Sequence, residues 1–218
     1  WWPCAPIAVG LGIWSTHFVG MLAFHLPVPV RYDGLLVLVS VLVAIGASAL
    51  ALFVASRASL PLTVLGLASL SMGGAISGMH YIGMAAMHLP ALITWDSGLV
   101  ALSVLIAVRA SFAALVMAFR LQRASGGLRQ GPKLAASAVM GLAISGMHYT
   151  GMAAARFTPA AIDVSGNTLS LHTTGMALGV VVGTVGILSM ALAVAAFSER
   201  ARLLAMEQHA RGEAETAN

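Results

Sequence analysis

Charge is what this sequence has least of. Of 218 residues, 8% are charged: 11 Lys and Arg and 7 Asp and Glu. A soluble domain carries about a quarter, and 18 charged side chains cannot clothe a water-exposed surface of ordinary size. Cysteine is almost absent as well: Cys4 stands alone, so no disulfide framework exists and thiols give no argument about compartment. Net charge is +4 with a pI near 10.0, but the basic residues are spent on membrane topology, and no nucleic-acid partner is expected. The chain opens on Trp1-Trp2-Pro3, which reads as a cut edge, and shows no signal peptide; a polytopic protein needs none.

What is present is apolar length. Hydrophobic residues make up 59% of the chain and mean hydropathy is +0.93. A helix needs about 20 apolar residues to cross the hydrocarbon core. Six stretches qualify: 5–27, 34–56, 62–88, 98–120, 134–155 and 174–198. Runs of that length have no strand reading, and too few polar faces remain for buried helices of a soluble protein. The expected fold is an all-α membrane protein with six transmembrane helices.

Lys and Arg orient these spans. Arg57, Arg120, Arg123, Arg129, Lys133, Arg200, Arg202 and Arg211 fall after spans 2 and 4 and in the tail, whereas the opposite loops hold Arg31 and Arg156. Both termini are therefore expected in the cytoplasm. The other loops, with Asp33, Asp96 and Asp163, are expected on the periplasmic or outer side of a bacterial inner membrane.

The chain also repeats itself. Ile13–Leu26, IWSTHFVGMLAFHL, matches Ile76–Leu89, ISGMHYIGMAAMHL, at an offset of 63. That offset also lays Val41–Arg57 on Val104–Arg120 with nine of 17 positions identical. Ile144–Arg156, ISGMHYTGMAAAR, is a third copy, offset by 68. The unit is a motif helix followed by a Ser/Ala-rich helix, three times over, with the copies parallel. Such repeats pack about a pseudo-axis and place sites at their interface. Ser48, Ser111 and the many small residues suit close helix contact.

Within each motif helix a Met follows His by four residues: His17 and Met21, His80 and Met84, His148 and Met152. That spacing puts both side chains on one face, and imidazole with thioether suits copper far better than Mg or Ca. The same face continues to His25, His88 and Arg156, with His25 and His88 placed nearer the outer mouth. The motif His residues are expected about 15 Å deep, at ~1.5 Å per residue. Ionisable groups at such depth face a bundle interior. Tyr81 and Tyr149, with Phe18 in the first copy, point about 100° away, from where the tyrosines can donate to a second shell.

Plainer readings exist for each: a His bonded to a neighbouring backbone, Met as a gap-filler, and Gly20, Gly83 and Gly151 serving helix contact alone. Recurrence of the His at equal depth in three copies favours a bound metal or prosthetic group. Arg109, in mid-span where its repeat mate is Gly46, reads as an arginine in a polar crevice or as an anion site. His172 and His209 lie outside the pattern and read as solvated.

Met79-His80-Tyr81 and Met147-His148-Tyr149, each in the context SGMHYxGMAA, closely resemble the MHYT family of bacterial membrane sensor domains. The first copy reads Thr16-His17-Phe18 and lacks the Met and Tyr. The resemblance covers about residues 10 to 198. It implies a repeated membrane unit that binds copper through His17, Met79, His80, Met147 and His148, with Met21, Met84 and Met152. It also implies sensing of O2, CO or NO and a cytoplasmic output domain of cyclic-di-GMP, kinase or regulator type. The family has a further Ser/Ala-rich helix before the first motif helix, which is expected to be missing from this sequence.

The expected organisation is then a sensor domain over 1–198, with a cytoplasmic tail or linker over 199–218 toward an output domain that the sequence does not contain. No nucleophile or paired carboxylates suited to catalysis are visible in the spans. Two rival readings stand beside the copper sensor. One is copper transport or handling, which needs a continuous row of ligands toward the cytoplasm. The other is a haem protein with two axial His residues.

Overall fold

The computed structural model describes residues 4–24, 28–57, 59–123, 130–160 and 170–216. His25 and two residues of the orientation argument, Arg129 and Asp163, lie outside the described residues. Six helices follow one another: α1 (Cys4–Ala23), α2 (Gly34–Ala55), α3 (Leu62–Ala85), α4 (Ser97–Arg123), α5 (Gln130–Ala154) and α6 (Thr173–Thr216). Five of them, all but α5, hold stretches long and apolar enough to cross a membrane. Large apolar side chains such as Leu42, Leu67, Leu102 and Leu142 cover the outside of the bundle, as a lipid-facing surface requires. This is a multi-pass membrane protein.

Packing follows the repeat. α2 lies against α1 and α3, and α4 against α3 and α5. The α1–α2 and α3–α4 contacts are built alike: Gly10 lies against the Ile45 backbone, and Gly73 against that of Val108. These pairs are 63 residues apart, so the repeat in sequence is a repeat in geometry. In both places a side chain on the glycine would collide with backbone, which is why small residues recur there. The third copy differs. Gly141, the mate of Gly73, meets no neighbour, and α6 packs on α1 while scarcely touching α5.

The fold is not purely helical. Among the described residues, the loops that follow the motif helices form five short strands: β1 (Arg31–Asp33), β2 (Met87–His88), β3 (Ala91–Trp95), β4 (Ala155–Pro159) and β5 (Ser170–His172). β1 pairs antiparallel with β2 and with β5, and β3 pairs antiparallel with β4. Each loop is thus joined to both of the others, closing a collar over one end of the bundle. The motif helices accordingly stop at Ala23, Ala85 and Ala154, where apolar composition extends spans 1 and 3 to residues 27 and 88. In span 3 the apolar run passes from α3 through Ala86 into β2 at Met87, so hydropathy alone cannot see that boundary.

The collar also caps the helices. The Asp33 carboxylate accepts from the Leu35 and Leu36 amides, and Asp96 from those of Gly98 and Leu99. These are N-cap bonds to amides that have no partner within the helix. The backbone amides of the same two residues donate to Ala86 and Ala154 at the ends of the motif helices. Asp96 also pairs with Arg156 at 2.9 Å, but the Arg156 side chain is 72% exposed, and an exposed pair adds little. Asp33→Ala and Asp96→Ala should therefore each lower stability by about 1 kcal/mol, and Arg156→Ala should be nearly silent. Unfolding in detergent followed by circular dichroism measures all three; a cost for Arg156→Ala equal to that of Asp96→Ala would show that the pair, not the cap, matters.

Candidate metal centre

The three motif histidines meet. His17 on α1, His80 on α3 and His148 on α5 turn into the bundle axis and are 2%, 0% and 2% exposed. Each lies five or six residues from the collar end of its helix, about 8–9 Å at 1.5 Å per residue. Their Nδ1 atoms face one another at 3.1 Å for His17–His148, 3.1 Å for His80–His17 and 3.3 Å for His148–His80. The rings stand nearly perpendicular to each other, at 77–89°. Repetition of one helix about a pseudo-threefold axis produces this triangle.

The backs of the rings are held by glycine. His17 Nε2 sits over Gly83, His80 Nε2 over Gly151 and His148 Nε2 over Gly20, each closer than a Cβ on that glycine would permit. The arrangement is cyclic: each repeat's imidazole rests on the glycine of the next. Gly20, Gly83 and Gly151 thus do more than let helices approach. The sequence carries the signal as His-x-x-Gly in all three copies, although spacing does not reveal that the partner belongs to another helix.

Proton counting shows what this arrangement wants. A neutral imidazole has one N–H and one lone pair. Three Nδ1 atoms cannot all bond pairwise, because two of the three must be alike. At least one pair therefore opposes two lone pairs or two protons at hydrogen-bonding distance; among the described residues, no partner bonds the three buried Nε2 atoms. A cation at the centre removes the conflict by taking three lone pairs at once. The centre of a triangle with these edges is about 1.8 Å from each nitrogen (edge divided by √3), within a few tenths of a metal–imidazole bond of about 2.0–2.1 Å. The residues fit a bound metal ion of the imidazole-binding kind.

The remaining candidates fall into layers. Met21, Met79 and Met84 are buried in the outer core with Phe18, Trp14 and Tyr32, and Met152 packs against it. Met147 belongs instead to the inner core, with Met72 and Ile76. Ile13, Ile76 and Ile144, one turn inward of the three histidines, border a cavity of about 630 Å³ in the inner half, which Met72, Met117 and Met140 also line. Isoleucine at that turn in all three copies puts apolar side chains between the histidines and the cavity.

The aromatic neighbours serve packing. Tyr81 packs its ring edge-to-face on His80, with centroids 4.8 Å apart, and its hydroxyl bonds Ser103 at 2.7 Å; Trp14 Nε1 donates to Ser40, the repeat mate of Ser103, at 3.1 Å. Tyr149 stands 61% exposed beside a cleft of about 380 Å³ between α1, α5 and α6, which His148, Ser15, Gly20 and Thr184 also line. His88 is exposed on β2, opposite Arg31. His172 faces Arg31 from β5, so it is part of the collar rather than a bare loop. Arg109 is exposed on the outer face of α4, not enclosed in a crevice.

The family model described as "MHYT: Bacterial signalling protein N terminal repeat" matches residues 10–68, 73–131 and 141–206. The chain belongs to the MHYT family. The three matched segments begin at the same offsets as the internal repeat. MucR of Pseudomonas aeruginosa, named a bifunctional diguanylate cyclase/cyclic di-GMP phosphodiesterase, is 46% identical over 88% of this chain and 28% of its own length. NbdA of the same organism, named a cyclic di-GMP phosphodiesterase, is 36% identical over 97% of the chain and 27% of its length. The signaling protein YkoW of Bacillus subtilis is 39% identical over 69% of the chain and 19% of its length. The chain thus spans less than a third of each of these relatives. No solved structure matches it.

Substitution tests the glycine seats. Gly83→Ala should displace the His17 ring and destabilise the protein by about 1–3 kcal/mol, as overpacking does. Gly74→Ala, where a Cβ meets nothing, should be neutral or stabilising by up to about 1 kcal/mol. Thermal unfolding in detergent compares them, and equal effects would sink the assignment of Gly83 as a seat.

Proposed function

We propose that this domain is a membrane-embedded sensor in which His17, His80 and His148 hold a copper ion through Nδ1. The observation that carries this reading is the convergence of three buried Nδ1 atoms from three repeats on one point. Imidazole donors favour copper over Mg or Ca, and Met21, Met84 and Met152, four residues from each His, would offer thioethers one turn outward. Met79 and Met147 are the weaker candidates, because each directly precedes its His and so leaves the helix about 100° away from it. When bound, copper would supply a site for a diatomic ligand such as O2, CO or NO. The cleft beside His148 gives a neutral gas dissolved in lipid a path to the triad.

The relatives support a signalling role. MucR and NbdA are named for cyclic-di-GMP turnover, YkoW for signalling, and this chain matches 28%, 27% and 19% of their lengths. The domain itself is read as non-catalytic, with both termini in the cytoplasm, the collar in the periplasm and an output domain joined beyond α6. The Ile13, Ile76 and Ile144 layer argues against a transport route, because a charged ion passing inward would leave its ligands for an apolar turn. Haem remains the second reading for the same histidines, and absorption spectra separate the two.

Metal analysis of detergent-purified protein is the test. The native chain should carry copper near one equivalent and show no Soret band, and His80→Ala/His148→Ala should lose that copper while keeping its helical spectrum. Equal copper in both proteins would rule out the triad, and a Soret band that vanishes in the variant would assign the site to haem.

A further inference from the structure

α6 is unlike the other helices. It runs unbroken for 44 residues, from the collar through the apolar stretch and on to Thr216. Only 6% of its membrane stretch is buried, against 22–44% for the other four spans. Met176 and Val180 are 2% exposed and belong to the core around Trp14. With Thr184 and Ile187 they mark the side that lies on α1.

The opposite side carries a second stripe. Leu178, Val182, Val185, Ser189, Leu192, Ala196, Glu199, Leu203 and Met206 follow one another at alternating steps of four and three. All nine are exposed; Leu178, Val182, Val185, Leu192, Leu203 and Met206 are 55–71% exposed. This is the a/d spacing of a coiled coil, and it continues past the charged residues Glu199 and Arg200, where the hydrocarbon core ends. Lipid can cover Leu178 to Leu192. It cannot cover Leu203 and Met206, which on an isolated helix would stand in water. A helix segment of this length is itself marginal in water without a packing partner.

We infer that α6 is the self-association surface of this protein, pairing in parallel with α6 of a second copy along this stripe from the outer membrane half into the cytoplasm. An occupant that covers the whole stripe must cross the membrane and emerge beside the same helix. A second copy related by a twofold axis along the membrane normal does so by symmetry, presenting the identical stripe. A soluble partner would meet only the last two turns, and lipid only the first four. The inference stands on α6 alone and does not depend on the metal.

Cross-linking in native membranes tests it. In a Cys4→Ser background, Leu192→Cys and Leu203→Cys lie on the stripe, while Ile187→Cys and Ala201→Cys lie on the opposite side at similar heights. Oxidation with iodine should give a covalent homodimer from the two stripe variants and none above background from the two controls. Equal dimer from all four positions would overturn the inference. So would its absence from Leu192→Cys and Leu203→Cys when both thiols react with a monofunctional maleimide after solubilisation, or a cross-link from Leu203→Cys to a different protein.

Discussion

Three imidazoles pointed at one another inside a membrane are what the rest of this structure is built to tolerate. Each ring needs a place for its back edge, and glycine on the next repeat supplies it. Each needs its helix held at one height, and the collar, by tying every outer loop to the other two, fixes the three helix ends together. The small residues on α2 and α4 let those helices seat closely beside the motif helices. Gly10 and Gly73 do the same from the motif side. None of these features is demanded by membrane insertion alone; an apolar bundle would form without them.

Much of this is legible in the amino-acid sequence. Low charge and six apolar runs announced the class, and the 63- and 68-residue offsets announced a parallel repeat. A His at one position in all three copies pointed to His17, His80 and His148 as a set. Their meeting at Nδ1 was not legible, since periodicity assigns a face to a helix but not the neighbour that face meets. The collar was missed for a related reason. Segments such as Ala91–Trp95 are as apolar as the helix before them, and strand pairing between loops some 60 residues apart leaves no local mark. Tyr81 and Tyr149 pack their rings edge-to-face on His80 and His148, while the Tyr81 hydroxyl bonds Ser103, a partner that sequence spacing does not name.

The repeat is also informative where it fails. The first two copies share the Gly10 and Gly73 contacts and the bonds to Ser40 and Ser103. The third has an exposed Tyr149, an unused Gly141 and a helix that leans on α1 instead of α5. This places a lipid-facing cleft next to one histidine of three and leaves α6, the longest element, held to the bundle along a single side. A nearly symmetric centre is thus coupled to an asymmetric frame, and the loosest helix is the one that continues out of the membrane.

The cyclic seating of the histidines makes the motif helices a gear train. Because His17 rests on α3, His80 on α5 and His148 on α1, no one of these helices can turn about its long axis alone. Turning it drives its own ring into one neighbour or withdraws it, and at the same time moves the glycine beneath the ring of the other. A twist imposed on any one shaft is therefore resisted at both of its contacts, and three contacts closed in a ring hold the motif helices at fixed rotation relative to one another.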